Sequence, residues 1–370
     1  MTNIAVTGMA WHTALGHTLS GVWQRLLDGE TGIAALASRH ALKNDRVAAI
    51  ALAERTDTRH TLDRLTRQTV AAAAEHAQLD LSRQAARTLL IVGTSFGARL
   101  DDAVSAAEPL ERWVQDIADG FGLKSVALST ACSSASDAIL LGAELIRAGV
   151  ADCCICGGAD VLADSKRLAH TALGTMSSTT LRSFDRRHDG TILGEGVGFL
   201  VLERGGDRSI RPLAILRGAG SSNDAAGLTA PDKDGNGIRL AVDRSLKNAG
   251  LRHEDIGVVN AHGSGTLTND RIESTAYLAL FSTSQPTIFA TKGAFGHSLG
   301  ATGALEAIAL ILALKQQVTP PIHGLEQPIE GFTLPMPVGR SKPIDAVYGL
   351  SLTIGFGGFN TSLVFERVGA

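Results

Sequence analysis

Apolar positions along this chain fall into short strand-like runs separated by longer stretches of helical periodicity. In the amino-terminal half, strand-like runs cover residues 4–6, 89–92, 125–128, 153–156 and 199–202, and helix-like stretches cover 19–27, 62–76, 104–117 and 134–148. In the carboxy-terminal half, strand-like runs cover 213–216, 258–260, 288–291 and 347–353, and helix-like stretches cover 238–248, 270–280 and 300–314. Two similar alternating series predict an α/β fold built from duplicated halves.

The best division between the halves is a short polar segment. Asp207-Arg208-Ser209 lies between the last strand of the first series and the first strand of the second. We therefore predict an N-terminal half over residues 1–206 and a C-terminal half over residues 207–370. The sequence has no long linker between the two halves, so they are expected to pack against each other.

Composition narrows the class of protein. Of the 370 residues, 44% are hydrophobic and only 4% are aromatic, which favours sheets that are buried under helices. The formal net charge is −3, which does not indicate binding to nucleic acid or to an anionic membrane.

Neither the N-terminal segment nor the most apolar stretch of the sequence indicates a membrane protein. The first eight residues have the pattern of a strand and a turn rather than of a signal peptide. The most apolar helix-like stretch, 301–314, contains Glu306 and is too short to cross a bilayer. We therefore expect a cytoplasmic protein without a membrane span.

Three of the four cysteines are crowded together in one apolar run. Cys153, Cys154 and Cys156 are bounded by glycines, and no second cysteine pair has the spacing of a zinc site. We expect reduced thiols packed in a buried strand, which fits a cytosolic protein, and no metal site.

Cys132 differs from the other cysteines because a short apolar strand turns there into a helix. The apolar spacing from Ala135 to Ala148 is helical. A thiol at a helix N-terminus meets partial positive charge and free N–H groups, which favour a thiolate and bind an oxyanion formed beside the sulfur. We predict that Cys132 is a covalent nucleophile.

Two histidines follow strands and have small residues around them. His262 lies in Asn260-Ala261-His262-Gly263-Ser264, and His297 lies in Phe295-Gly296-His297-Ser298. Flanking glycines leave room for a substrate to approach each imidazole. A lone histidine of this kind is more often a packed core residue, but two of them together with Cys132 favour nucleophilic catalysis.

These motifs resemble the β-ketoacyl-acyl carrier protein synthases, the condensing enzymes of fatty-acid and polyketide assembly. The resemblance runs almost from end to end and rests on segments in the family's order: Val6-Thr7-Gly8-Met9, Thr130-Ala131-Cys132-Ser133-Ser134, Phe184-Asp185-Arg186-Arg187-His188-Asp189-Gly190, His262-Gly263-Ser264-Gly265-Thr266, Lys292 with Gly296-His297, and Gly355-Phe356-Gly357-Gly358. The resemblance implies the thiolase fold, in which duplicated halves form a five-layered α-β-α-β-α sandwich.

The resemblance also implies a decarboxylative condensation. Cys132 would hold an acyl group, and His262 and His297, neutral and donating from Nε2, would stabilise the enolate formed from a malonyl thioester. The N–H groups of Cys132 and Phe356 would form the oxyanion hole. Lys292 would support His297. The supporting residues that the resemblance implies are Glu306, Gly355 and Gly357.

The resemblance implies an acyl carrier protein as partner and no cofactor, because the substrates are carried on its phosphopantetheine. Carrier proteins are acidic, so Arg64 and Arg67, on one helix-like stretch, are docking candidates. The assembly would be a homodimer, or a heterodimer with a second ketosynthase-like subunit. Between Gly97 and Cys132 the chain is shorter than in the housekeeping enzymes, which favours a specialised pathway and leaves the acyl chain open.

Sequence features bear on three rival interpretations. A thiolase would have a second catalytic cysteine, and Ile354–Gly358 contains none. The priming synthases use Cys-His-Asn, whereas His297 stands in the asparagine position here. The alternative from another class is a non-catalytic, chain-length-factor-type partner subunit, although such subunits typically lose the nucleophile.

Overall fold

The computed structural model describes residues 3–52, 57–96, 100–101, 109–205, 208 and 210–369. Its strands are β1 (Ile4–Thr13), β2 (Ile33–Ala35), β3 (Arg46–Ala48), β4 (Thr88–Gly93), β5 (Lys124–Leu128), β6 (Cys153–Asp160), β7 (Gly196–Arg204), β8 (Ala214–Asn223), β9 (Ile256–Asn260), β10 (Thr287–Phe289), β11 (Val318–Thr319), β12 (Lys342–Pro343), β13 (Tyr348–Gly355) and β14 (Phe359–Arg367). Its helices are α1 (Leu19–Leu27), α2 (Thr58–His76), α3 (Leu81–Gln84), α4 (Leu110–Asp119), α5 (Ser134–Arg147), α6 (Asp164–Ala172), α7 (Asn236–Ala249), α8 (Leu267–Leu280), α9 (Lys292–Phe295) and α10 (Thr302–Gln316).

Ten of these strands repeat one topology twice. The first half-sheet has the order β5-β4-β6-β7-β1, and the second has the order β10-β9-β13-β14-β8. In each half, the first strand of the series lies at the inner edge, and the two inner edges join where β1 pairs with β8 in antiparallel register. The duplication predicted from the alternating pattern is therefore present in the topology.

Helices cover both half-sheets and fill the space between them. Helix α5 packs on β4 and β6, α10 packs on β7 and β13, and the two helices contact each other. On the outer sides, α2 packs on β1 and α7 packs on β8. This is the five-layered α-β-α-β-α arrangement of the thiolase fold, as the resemblance implied.

The most apolar helical segment is longer than the sequence pattern indicated. The 3₁₀ turn Leu299–Ala301 continues into α10, and together they span Leu299–Gln316 with a mean hydropathy of 1.4. By length and composition this segment could cross a membrane, so the expectation that it is too short was wrong. It is 89% buried inside the protein, which is the environment of a core helix between two sheets.

The pattern missed one long helix, one long strand and several short elements, and it predicted only part of several strands. Helix α6 was missed because its sequence, DSKRLAHTA, is largely polar, and β14 because polar side chains interrupt its apolar run. Strand β1 continues for seven residues beyond the predicted 4–6. Residues 206 and 207 lie outside the described residues, so the proposed division between them stays a prediction, as does the predicted helix over 104–108.

The cysteine-rich run is an interior strand. Every residue of β6 is buried, since the strand lies between β4 and β7 with α5 on one face. Cys153, Cys154 and Cys156 are free thiols within it, as expected from the apolar pattern. Among the described residues, no group of three or more His, Cys, Asp or Glu side chains has a metal-binding arrangement.

Candidate active site

Cys132 lies in a tight turn between β5 and α5, as the sequence predicted. The turn is a 3₁₀ segment, Ala131–Ser133, and the helix begins at the next residue. Asp137, in the first turn of the helix, accepts hydrogen bonds from the hydroxyls of Thr130 (2.5 Å) and Ser133 (2.8 Å). These two bonds fix the turn, and with it the direction of the Cys132 side chain.

The Cys132 thiol is almost completely buried, with 5% of the residue exposed. Burial raises the pKa of the thiol to about 11, although Lys292 and the backbone N–H of Phe356 both act to lower it. The expected thiolate at the helix N-terminus is therefore opposed by desolvation. The free protein holds Cys132 mainly as a thiol at neutral pH.

The glycine loop after β13 reaches the nucleophile. The backbone N–H of Phe356 acts to lower the pKa of the Cys132 thiol, and the two residues line the same cavity. The close approach depends on Gly355, because a Cβ there would lie 3.2 Å from the Thr130 carbonyl oxygen and 3.3 Å from the Cys132 nitrogen. Gly357 holds the other side of the loop, where its N–H donates to the carbonyl of Leu228 (2.8 Å).

His262 lies on the loop that follows β9 and is buried, with 3% exposed. Its ring nitrogen Nδ1 lies 3.2 Å from Nζ of Lys292, which also donates to the His262 carbonyl (2.5 Å). A lysine ammonium can only donate, so Nδ1 accepts and the hydrogen of the neutral ring is on Nε2. Burial first, then Lys292 and His297, lower the pKa of His262 well below its ordinary value.

The same contacts refine the predicted role of Lys292. The resemblance implied support for His297 and an effect on the local field. The hydrogen bonds of Lys292 go to His262, while its charge acts to lower the pKa of His297. The lysine is 2% exposed, and it also pairs with the buried carboxylate of Glu306 on α10. The cation therefore bridges the His262 loop and the central helix.

His297 lies between α9 and the 3₁₀ turn before α10. Its Nδ1 accepts a hydrogen bond from the N–H of Leu299 (3.3 Å) and lies 3.1 Å from the hydroxyl of Thr302. With Nδ1 accepting, the neutral ring carries its hydrogen on Nε2. Burial first, then Lys292 and His170, lower the pKa of His297 well below its ordinary value. Both histidines are therefore neutral rings at physiological pH.

The two histidine rings lie together at the Cys132 pocket. Their centroids are 5.4 Å apart and their planes meet at 84°. Cys132, His262, His297 and Phe356 line one cavity of about 300 Å³. The nucleophile comes from the first half of the chain and both histidines from the second, so the site lies where the two halves meet.

Glu306 belongs to a polar network behind the site rather than to the cavity wall. Its carboxylate pairs with Lys292 and accepts a hydrogen bond from Thr353 (3.1 Å). The Thr353 hydroxyl is in turn 2.9 Å from that of Ser136, which is on the helix that follows Cys132. Burial raises the pKa of Glu306 to about 7, with Lys292 opposing.

Sequence analysis missed Glu273, which positions His262. Its carboxylate accepts hydrogen bonds from the backbone N–H groups of His262 (2.7 Å) and Gly263 (2.8 Å), and from the hydroxyl of Tyr277 (2.8 Å). Burial and the neighbouring Asp270 raise the pKa of Glu273 to about 7. The available signal was a glutamate on the apolar face of a predicted helix soon after a candidate catalytic histidine.

A third histidine also lines the cavity. His170 lies on α6, a helix that the apolar pattern did not predict, and it is 6% exposed. Its ring stacks on Phe356, with centroids 5.6 Å apart and planes at 21°. No glycine flanks it and no predicted strand precedes it, so the criteria that selected the other two histidines could not find it.

The two docking candidates have different surroundings. Arg64 is exposed on α2. Arg67 is half-buried, pairs with Asp63 (2.9 Å), and donates to the carbonyls of Asp116 (2.9 Å) and Ile117 (3.3 Å) at the end of α4. These contacts give Arg67 a structural role that joins α2 to α4, and they leave Arg64 as the more available cation of the two.

Comparisons with known proteins agree with the geometry. The family model of the β-ketoacyl synthase N-terminal domain matches residues 1–208, and that of the C-terminal domain matches residues 213–326. The chain is 29% identical to 3-oxoacyl-[acyl-carrier-protein] synthase 2 of Vibrio harveyi, covering 99% of this chain and 98% of that protein. It is 30% identical to the protein of that name from Mycobacterium bovis, covering 98% and 97%.

Solved structures agree as well. The ishigamide ketosynthase/chain length factor superposes with a TM-score of 0.91 at 25% identity, over 100% of both chains. A β-ketoacyl synthase from Burkholderia phymatum superposes with a TM-score of 0.90 at 28% identity, also over 100% of both. The family models, the full-length relatives and the site geometry lead to one conclusion: this chain belongs to the β-ketoacyl synthase family.

Proposed function

We propose that the protein is a 3-oxoacyl-[acyl-carrier-protein] synthase, an acyltransferase that condenses an acyl group held on Cys132 with malonyl-acyl carrier protein. One observation carries this proposal. A buried cysteine, whose thiol pKa burial raises and the backbone N–H of Phe356 acts to lower, shares a cavity with two neutral histidines that both carry their hydrogen on Nε2. That set of groups provides a nucleophile, an oxyanion site and two donors for a developing enolate.

The first half-reaction is acyl transfer. The Cys132 sulfur attacks the thioester carbonyl of an acyl carrier protein, the carbon–sulfur bond to phosphopantetheine breaks, and the proton of the Cys132 thiol ends on the released pantetheine thiol. The N–H groups of Cys132 and Phe356 receive the oxyanion of the tetrahedral intermediate. Loss of one such donor typically costs about 2.7–4 kcal/mol of transition-state stabilisation.

The second half-reaction is condensation. The Nε2–H groups of His262 and His297 hold the thioester carbonyl of the malonyl group. The carboxylate leaves as carbon dioxide, and its bonding electrons form an enolate whose negative oxygen the two donors stabilise. The enolate carbon attacks the acyl-Cys132 carbonyl and the bond to sulfur breaks. Cys132 leaves as a thiolate, which takes a proton from water and returns to the thiol, and a 3-oxoacyl chain two carbons longer remains on the carrier protein.

We infer that the partner is an acyl carrier protein and that the protein works in the cytoplasm as a dimer, with itself or with a second ketosynthase-like subunit. The curated relatives carry the carrier protein in their names, and one similar structure is named a ketosynthase/chain length factor. The short segment before Cys132 favours a specialised fatty-acid or polyketide-like pathway. No cofactor is needed, because the acyl group is already activated as a thioester on phosphopantetheine.

A non-catalytic partner subunit is less well supported. Such a subunit needs neither a nucleophile nor enolate donors, yet Cys132, His262 and His297 are all present around one cavity. The His262 loop is held by three buried charged residues, Lys292, Glu306 and Glu273. Burial of these charges costs desolvation free energy, which a subunit without catalysis would have no reason to bear. The machinery of catalysis is therefore retained together with its supports.

Intact-mass analysis tests the proposal directly. The protein is mixed with carrier protein loaded with acyl groups of different length, and a mass gain equal to the acyl group is expected. The gain should vanish in Cys132→Ala. Addition of malonyl-carrier protein should then discharge the acyl group and yield a 3-oxoacyl product. No gain with any acyl group would contradict the proposal and favour the partner-subunit alternative.

A further inference from the structure

The loop that carries the Phe356 N–H has a single side chain with which to anchor itself. Its sequence is Gly355-Phe356-Gly357-Gly358, so three of the four residues offer no side chain to the surroundings. Glycine also has the widest backbone freedom of any residue. The backbone of Gly357 and Gly358 is anchored by hydrogen bonds to Leu228, Asn223, Asp224 and Asn360. Phe356 itself has its ring as the remaining group that can hold its N–H at the Cys132 sulfur.

His170 is the aromatic partner of that ring. The two rings stack in near-parallel planes, 5.6 Å between centroids and 21° apart, within the range of favourable aromatic pairs. Burial first, then Lys166, lower the pKa of His170 to about 4, so the stacked imidazole is neutral at physiological pH. The contact is therefore a stack of a neutral imidazole on the Phe356 phenyl ring.

Thr175 fixes the orientation of the imidazole. The Thr175 hydroxyl donates to the His170 carbonyl (3.2 Å) and lies 2.9 Å from Nδ1 of the same residue. The hydroxyl is within hydrogen-bonding distance of both atoms, so it holds the imidazole from its Nδ1 side.

We infer that His170 is a positioning residue of the condensing site: its ring, oriented by Thr175, holds Phe356 so that the backbone N–H of Phe356 stays at the Cys132 sulfur. The inference rests on the proposed function in taking Cys132 as the nucleophile. Its test does not need turnover, because the N–H acts on the thiol itself.

The test measures how fast iodoacetamide alkylates Cys132 between pH 7 and 11 in the full-length protein, followed by peptide mass spectrometry. A thiolate reacts and a thiol does not, so the rate reports the pKa of Cys132. Loss of the N–H contact in His170→Ala should raise that pKa by about one unit, which lowers the alkylation rate at pH 8 about tenfold. His170→Phe keeps a stacking ring, so its alkylation rate should remain within about twofold of that of the wild-type protein.

Two further variants separate positioning from a general loss of structure. Leu168→Ala changes an exposed residue on the same helix and should leave the alkylation profile unchanged. Thr175→Val removes the hydroxyl that orients His170 and should lower the rate in the same direction as His170→Ala, by a smaller factor. Circular dichroism and thermal melting confirm that each variant is folded.

Two results would overturn the inference. One is an alkylation profile of folded His170→Ala that coincides with that of Leu168→Ala. The other is an equal loss of rate in His170→Ala and His170→Phe, since a stacking ring would then not be what holds the loop. If carrier protein does not acylate Cys132 but His170→Ala still slows alkylation as expected, the proposed function is refuted and the positioning role of His170 is not.

Discussion

Lys292 donates hydrogen bonds to two atoms of His262, to Nδ1 at 3.2 Å and to the main-chain carbonyl oxygen at 2.5 Å. One cation therefore sets both the tautomer of the ring and the position of its backbone. Glu273 holds the same residue from the other side, because its carboxylate accepts the His262 N–H at 2.7 Å. The Nε2–H of His262 is consequently fixed in place before a substrate arrives.

Removal of Lys292 should impair decarboxylation more than acylation. In Lys292→Met, Nδ1 of His262 loses its donor, so the ring can hold its hydrogen on either nitrogen and the Nε2–H donor is no longer assured. We expect the rate of malonyl-carrier protein decarboxylation to fall about 10²-fold, the lower end of what a positioned donor or acid–base group contributes. Carbon dioxide release measures it.

Two controls accompany this variant. Lys315→Met removes an exposed lysine near the end of α10 and should leave decarboxylation unchanged. Thr302→Val removes one neighbour of His297, but the N–H of Leu299 still donates to Nδ1, so the loss should be about tenfold smaller than for Lys292→Met. Equal decarboxylation in Lys292→Met and Lys315→Met would show that Lys292 does not control His262.

The sequence located the central groups because each follows a simple local rule. Cys132 lies where a strand turns into a helix, and His262 directly follows a strand. His297 comes after β10 and the short helix α9, also among small residues. The duplicated α/β architecture was also predictable, since each half repeats the same alternation of apolar runs. These features depend on residues close together in the chain, which is the information that a single sequence contains.

The supports of the site were harder to predict because they depend on contacts distant in sequence. The resemblance implied that Lys292 supports His297, whereas its hydrogen bonds go to His262, which lies thirty residues earlier in the chain. The fold closes that separation, because β9 and β10 are parallel neighbours and bring the loops that follow them together. The pKa of Cys132 was misjudged for a related reason, since burial is a property of the whole fold.

The buried thiol predicts a steep pH dependence for the reactivity of Cys132. Because burial raises the pKa of this thiol to about 11, the thiolate fraction should rise about tenfold for each pH unit below that value. The alkylation rate by iodoacetamide should therefore increase continuously from pH 7 to about pH 11. Cys132→Ala identifies any background from the three cysteines in β6. A plateau near pH 8 would mean that the thiolate is already formed and that burial does not dominate.

The Lys292–Glu306 pair predicts a coupling in stability. Lys292→Met leaves a buried carboxylate without its cation, and breaking such a pair typically costs about 3–5 kcal/mol of unfolding free energy. The double variant Lys292→Met/Glu306→Leu removes both charges and should regain part of that loss. Urea denaturation of the single and double variants measures the coupling. Additive losses would show that the two side chains do not depend on each other.

The pH dependence of this effect has a definite sign. Without Lys292, the hydrogen bond from Thr353 is the remaining influence that opposes burial, so the folded pKa of Glu306 should rise above the value of about 7. A carboxyl whose folded pKa is above its unfolded pKa binds more protons when folded, so stability decreases as pH rises between the two values. Lys292→Met should therefore lose more stability at pH 8 than at pH 5. The reverse trend would contradict the assignment of the raised pKa to burial.

A methyl group at Gly355 should separate the glycine loop from the nucleophile. The Cβ of Gly355→Ala would lie 3.2–3.3 Å from backbone atoms of Thr130, Cys132 and Ser133, which cannot move aside as a flexible side chain can. We expect slower acylation of Cys132, by about 10²-fold if the Phe356 donor is lost, measured as the single-turnover rate of mass gain. Gly331→Ala is the control for lost stability alone: a Cβ there meets nothing within 4 Å, but φ is +83°, so alanine is strained without a clash near Cys132. Equal acylation rates in the two variants would argue against the loop donor.

The two arginines of α2 should separate docking from structure. Arg64 is exposed, so Arg64→Glu should raise the KM for the acidic carrier protein without changing thermal stability. Arg67 joins α2 to the carbonyls at the end of α4, so Arg67→Glu should lower the unfolding free energy, by about 1–3 kcal/mol for the lost charged hydrogen bonds. Steady-state kinetics at two salt concentrations, together with urea denaturation, distinguish the two effects. An unchanged KM in Arg64→Glu would place the docking surface on another part of the protein.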